Sequence, residues 1–166
     1  MENKRIYIIW NAWSGKSYLA KIFSEKFKLN HIELDDIFWE QKYSKKRSLN
    51  NKKELLESLI NKNKSRIIEW IFTDFVDEAI KKADIVIWLD MNINLLTRRA
   101  IKRDIVKIII WKNKMKPFLE LIKFIRQYKN KYKWYYYRIL HLLNKYKINY
   151  VLIKNKKEFN NYVDNI

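Results

Sequence analysis

Short apolar runs alternate along this chain with longer segments in which apolar residues recur every three or four positions. The runs Arg5–Ile9, His31–Leu34, Arg66–Glu69, Asp84–Leu89 and Ile148–Ile153 read as strands. Several are apolar throughout, as strands covered on both faces should be. Between them, Ser17–Phe27 sets Leu19, Ile22, Phe23 and Phe27 on one side, and Asn51–Asn61 does the same with Leu55, Leu56, Leu59 and Ile60. Longer helical patterns cover Asn94–Lys107 and Lys116–Tyr146. This rhythm predicts an α/β domain of three layers, a mostly parallel five-stranded sheet flanked by helices. Lys42–Lys53 is a lysine-rich loop or helix entrance, and Ile110–Pro117 is a second break. Neither has the character of an interdomain linker, so residues 1–166 are expected to form a single domain. No apolar run approaches the roughly 18 residues of a membrane span. The chain enters a strand directly, without a signal-peptide pattern, and has no cysteine, so a cytoplasmic protein is expected.

The junction between the first strand and the first helix carries the chemistry. Residues 10–17 read Trp10-Asn11-Ala12-Trp13-Ser14-Gly15-Lys16-Ser17. With glycine at position 10 this is G-x-x-x-x-G-K-S, the phosphate-binding loop, in which successive backbone N–H groups and the positive end of the following helix hold phosphates. Lys16 would reach the β- and γ-phosphates, and Ser17 would ligand Mg2+. Glycine serves such a loop where backbone must touch the ligand or take positive φ. The indole of Trp10 would have to enter either the phosphate site or the adjacent core, and Trp13 would stand over the phosphates. Read literally, the loop should bind ATP poorly.

Composition changes how those tryptophans are read. The chain has 1 glycine and 7 tryptophans, whereas about 7% glycine, roughly 12 residues, is ordinary. Lysine, isoleucine, asparagine and tyrosine, all written with AT-rich codons, make up about half of it. Trp70 ends a strand after Glu69, and Trp111 lies in a polar break, both places where glycine is natural. One account covers composition and placement: Trp10, Trp13, Trp70 and Trp111 are UGA codons whose meaning in the source genome is glycine. The competing account is a degenerate loop that has lost its nucleotide cradle.

The chain resembles the small P-loop kinases related to adenylate and shikimate kinase, in particular the branch named DNA topology modulation proteins. The resemblance runs through residues 10–17, Leu34-Asp35-Asp36-Ile37-Phe38-Trp39, Ile68-Glu69-Trp70-Ile71-Phe72, Ala83-Asp84-Ile85-Val86-Ile87-Trp88-Leu89-Asp90, the arginines at 98, 99 and 103, and Lys156-Lys157-Glu158-Phe159. It departs from that branch at Trp10, Trp13 and Trp70, and at Asn92 where proline is frequent. It implies a sheet of order 2-3-1-4-5 and phosphoryl transfer from ATP with Mg2+. Asp35 would orient or deprotonate the acceptor hydroxyl at the carboxyl end of the second strand, with Asp36 the better candidate for a helix cap. Glu69 would hold magnesium through water, and residue 70 would lie where the substrate approaches. Arg99 and Arg103, one turn apart, would clamp the transferring phosphoryl group. Arg126 is a further candidate for phosphate or adenine contact. The segment Asn155-Lys156-Lys157 would carry the adenine loop.

The net charge of +18 favours polyanionic ligands, but 28 of the 36 basic residues are lysine, which AT-rich coding alone supplies. Tyr128–Arg138, rich in aromatics and cations, could stack on single-stranded nucleic acid. Its 3–4 spacing through Tyr128, Tyr132, Tyr135 or Tyr136, Ile139 and Leu143 favours packing instead. The two histidines, His31 and His141, lie far apart, and with no cysteine a zinc-type site is not expected. The expected partners are a nucleoside triphosphate and a small acceptor, with a monomer or small oligomer and no membrane. Nucleic acid is the alternative partner, for a non-catalytic form of the same fold.

Overall fold

The computed structural model describes residues 4–10, 14–41, 44–70, 75–110, 123, 134 and 136–166, without the side chains of 70 and 103–110. Its elements run β1 (Arg5–Ile9), α1 (Lys16–Phe27), β2 (Asn30–Glu33), α2 (Leu34–Phe38), β3 (Trp39–Gln41), β4 (Lys45–Lys46), α3 (Leu49–Lys62), β5 (Arg66–Trp70), α4 (Asp77–Lys81), β6 (Ile85–Leu89) and α5 (Ile93–Ile110). Helical residues 136–145 (α6), β7 (Asn149–Ile153) and α7 (Lys156–Asp164) complete the order. Five parallel strands form one sheet in the order β2-β5-β1-β6-β7. Counted along the chain, those five strands lie 2-3-1-4-5, the order the resemblance implies.

The central strands explain themselves. Ile6 to Ile9 on β1 and Val86 to Leu89 on β6 are all buried, which apolar residues at every position permit and alternating ones would not. The start of β1 is tied to the turn before β6 by Arg5, whose backbone N–H donates to Asp84 at 2.7 Å and whose guanidinium pairs with the same carboxylate. Ile139 and Leu143 of α6 are buried and Tyr136 stacks on Trp88 at 4.8 Å. In its described part, this helix therefore packs as the 3–4 spacing predicts. Tyr128, Tyr132 and Tyr135 lie outside the described residues.

The structure shifts several expected boundaries. Leu34 opens α2 rather than ending β2, so Asp35 and Asp36 both sit in the first helical turn. The N-cap is Glu33, without a side-chain capping bond, so Asp36 is not the cap. Part of the lysine-rich stretch forms the β3–β4 hairpin, and α3 begins at Leu49 because Ser48 caps it, accepting from the Asn51 N–H at 3.3 Å. Among the described residues, no helix is long and apolar enough to cross a membrane.

Candidate functional site

Among the described residues of the loop after β1, two have positive φ. Trp10 has φ 126° and Gly15 has φ 102°. Gly15 is the N-cap of α1, and being glycine it offers no side chain to the first-turn N–H groups. A helix start with no side-chain cap and the positive end of its dipole suits an anion. Space also favours glycine: a Cβ at position 15 would lie 3.3 Å from the Phe159 ring, a tight contact that the ring would have to relieve by a small shift. Phe159 lies on helix α7, which Asn155 caps. The Asn155 side chain accepts from the Glu158 N–H at 2.9 Å, while the Glu158 carboxylate accepts from the Lys154 N–H at 2.7 Å. Asn155 is thus a helix cap at the end of β7, with Lys156 and Lys157 in the turn that follows.

The Trp10 side chain takes the second of its two routes. Its indole is 2% exposed and meets Trp88 with ring centroids 5.3 Å apart, so it lies in the core. Ser14 is fully buried, and its hydroxyl has no hydrogen-bond partner among the described residues. The Ser14 carbonyl accepts from Arg99 Nη1 at 3.3 Å. Arg99, expected at the phosphates, here braces the loop backbone from α5.

Lys16 and Ser17 open α1, Lys16 half-buried and Ser17 exposed. Burial pushes the Lys16 ammonium down to about 8, against the opposing pull of the Glu69 and Asp35 carboxylates. Three residues predicted from three separate segments therefore share one electrostatic environment at the carboxyl ends of the strands. Glu69 is buried on β5, opposite Ile8 of β1 and Glu33 of β2. Its Oε1 lies 3.4 Å from His31 Nε2. Contact with Glu69 holds the His31 imidazole above its ordinary value, with burial opposing. Asn11, Ala12, Trp13 and Arg126 lie outside the described residues, as do the side chains of Trp70 and Arg103, and Trp111.

Sequence reasoning missed His31, Glu33 and Phe159 as neighbours of the site. Asn155-x-x-Glu158 is a capping signature, and it would have placed Phe159 on a helix. His31 and Glu33 stand two apart on one strand and so share a face, but no local signal pairs them with Glu69.

No known protein-family profile matches the chain. It is 26% identical over 104 residues to the uncharacterized protein YqaC of Bacillus subtilis (strain 168), a match covering 60% of this chain and 58% of that one. The chain therefore spans under two thirds of the curated relative it matches. Among solved structures, the shikimate kinase of Acinetobacter baumannii in complex with shikimate superposes with a TM-score of 0.59 at 13% identity, over 99% of this chain and 90% of that one. The shikimate kinase of Bacteroides thetaiotaomicron superposes with a TM-score of 0.53 at 18% identity, over 98% and 95%. The chain has the fold of these P-loop kinases.

Proposed function

We propose that the chain is an ATP- and Mg2+-dependent phosphotransferase acting on a small hydroxyl compound or a nucleotide. One observation carries this reading: a helix N-terminus left uncapped by Gly15 carries Lys16 in its first turn, within the fields of Glu69 and Asp35. A cation there, backed by carboxylates and beside a helix start that no side chain caps, suits the phosphates of a nucleoside triphosphate. The residues also suit a hydrated Mg2+. Ser17 presents an exposed hydroxyl on the first turn of α1, and Glu69 keeps a buried oxygen, Oε2, without a hydrogen-bond partner among the described residues. When bound, that ion neutralises charge on the phosphates. Lys16 contacts the terminal phosphates, and Asp35, in the first turn of α2, accepts the proton of the attacking hydroxyl. Arg99, which also donates to the Ser14 carbonyl, and Arg103, one turn along α5, are the arginines we assign to clamping the transferring phosphoryl group. The test is ATP turnover by the chain carrying Trp10→Gly, Trp13→Gly and Trp70→Gly against nucleosides, nucleotides and small hydroxyl compounds. Absence of both Mg-ATP binding and turnover sinks it, and DNA binding that persists after Lys16→Met supports the non-catalytic alternative.

We also infer that positions 10, 13, 70 and 111 are glycine positions written as UGA. Positive φ at residue 10 supports this, and UGG codons there in the gene overturn it.

The state of Lys16 sets a pH dependence. The folded protein lowers Lys16 to about 8, so the ammonium is present below that pH and is lost above it. Phosphate binding needs the charged form. ATP affinity should therefore hold between pH 7 and 8 and then weaken by up to about tenfold per unit above 8. Proton uptake should accompany binding near pH 8. Calorimetry in two buffers of different ionisation enthalpy measures both, and Lys16→Arg, charged throughout, should flatten the profile. A flat wild-type profile from pH 7.5 to 9.5 counts against this role.

A further inference from the structure

We propose that His31, Glu33 and Glu69 form a direct binding site for one divalent transition-metal ion of the zinc or cobalt kind. β2 and β5 run parallel with Glu33 opposite Glu69 in register. His31 lies two residues before Glu33, so all three side chains share one face of the sheet. One potential ligand atom from each lies within 4.8 Å of the others. The His31 Nε2 to Glu69 Oε1 separation is 3.4 Å. Two ligands each roughly 2.1 Å from an ion at a tetrahedral angle stand about 3.4 Å apart, so this pair already has the required spacing. Glu33 is exposed and, although it is the N-cap residue of α2, its side chain makes no capping bond, so its carboxylate can close the remaining distance by side-chain rotation.

A second, independent observation points to a cation. Glu69 is 5% exposed, and its Oε2 has no hydrogen-bond partner among the described residues. His31 Nε2 faces the other oxygen, Oε1, at 3.4 Å, an ion pair without the alignment of a hydrogen bond. A buried carboxylate oxygen of this kind is normally satisfied, and a metal ion held between this carboxylate and the imidazole, in place of the imidazole's proton, satisfies it. Imidazole with two carboxylates is a three-ligand set that leaves one position open, as in catalytic zinc sites. The imidazole also selects against Mg2+, which prefers oxygen ligands and retains its water. Lys16 senses the same Glu69 carboxylate, so the metal and the lysine ammonium compete for it across the floor of the phosphate site.

The test titrates cobalt(II) alone into the full chain without nucleotide and follows visible absorption. One equivalent should bind, with the bands of a low-coordinate ion carrying a nitrogen ligand, and millimolar Mg2+ should not displace it. Loss of outer-shell partners alone weakens metal sites by about 10–100-fold. His31→Gln and Glu33→Gln should each weaken binding by at least about tenfold, with folding checked by circular dichroism. Glu33 is exposed, so that variant tests the site even where His31→Gln unfolds. No visible band, unchanged affinity in Glu33→Gln, or displacement by equal Mg2+ overturns the proposal. The phosphotransferase reading shares Glu69 with this site but is tested separately: its turnover is measured with Mg2+ alone and turns on Lys16 and Ser17, which lie outside the cluster.

Discussion

Lys16→Met should lower kcat/KM for phosphoryl transfer by about a hundredfold to a thousandfold or more, the scale seen when one fixed electrostatic stabiliser is removed from an active site. The expected loss lies at the upper end for a structural reason. Glu69 and Asp35 both act on Lys16. Without the ammonium, two carboxylates face the incoming triphosphate with no opposing charge from this position, so repulsion adds to the lost contact. Stability should move the other way. Folding lowers Lys16 from its ordinary value to about 8, so at pH 7 the fold bears the cost of holding a charge it disfavours. Methionine keeps the stem and removes the charge. Its unfolding midpoint in denaturant should match or exceed that of the wild type. Steady-state kinetics beside a denaturation curve separates the two effects: activity lost with stability retained marks a working residue, whereas joint loss marks a structural one. Turnover preserved in Lys16→Met defeats the proposed role.

The parts of this arrangement that could be read from the chain are those where local pattern and tertiary environment agree. β1 and β6 are apolar at nearly every position because both faces are covered, and the run from Trp10 to Ser17 announces a turn from strand to helix. Where one-turn elements decide the outcome, pattern fails. Leu34–Phe38 is too short for a helical period to show, and its cap is a glutamate rather than one of the strong capping residues. The β3–β4 hairpin is five residues of strand in all, mostly polar or charged. The His31–Glu69 contact depends on strands paired across a crossover, and that pairing leaves no local trace. Want of cysteine argues against a zinc-type site in the sequence alone, because His31 finds carboxylate neighbours only once the sheet has formed.

Trp10 yields the largest effect expected on stability, and its sign pattern is diagnostic. Two terms act at this residue. The indole is 2% exposed against Trp88, and removing a buried aromatic of this size costs about 3–5 kcal/mol. The backbone sits at φ 126°, in the region that favours glycine, and holding a residue with a Cβ there costs about 1–3 kcal/mol. Trp10→Ala loses the indole and keeps the strain. Trp10→Gly loses the indole and releases the strain. Glycine should therefore be the more stable of the two variants by about 1–2 kcal/mol, whereas at ordinary φ alanine is favoured by about 0.4–1 kcal/mol. Urea denaturation of both variants reads this inversion directly, and an alanine variant equal to or above glycine shows that the loop does not hold residue 10 at positive φ. The starting protein in the same series bears on the codons. If glycine is the natural residue, Trp88 and Tyr136 close over the vacated volume, and Trp10→Gly at least matches the tryptophan form. If the indole is native core, Trp10→Gly falls below it by the difference between the burial and strain terms, about 2 kcal/mol.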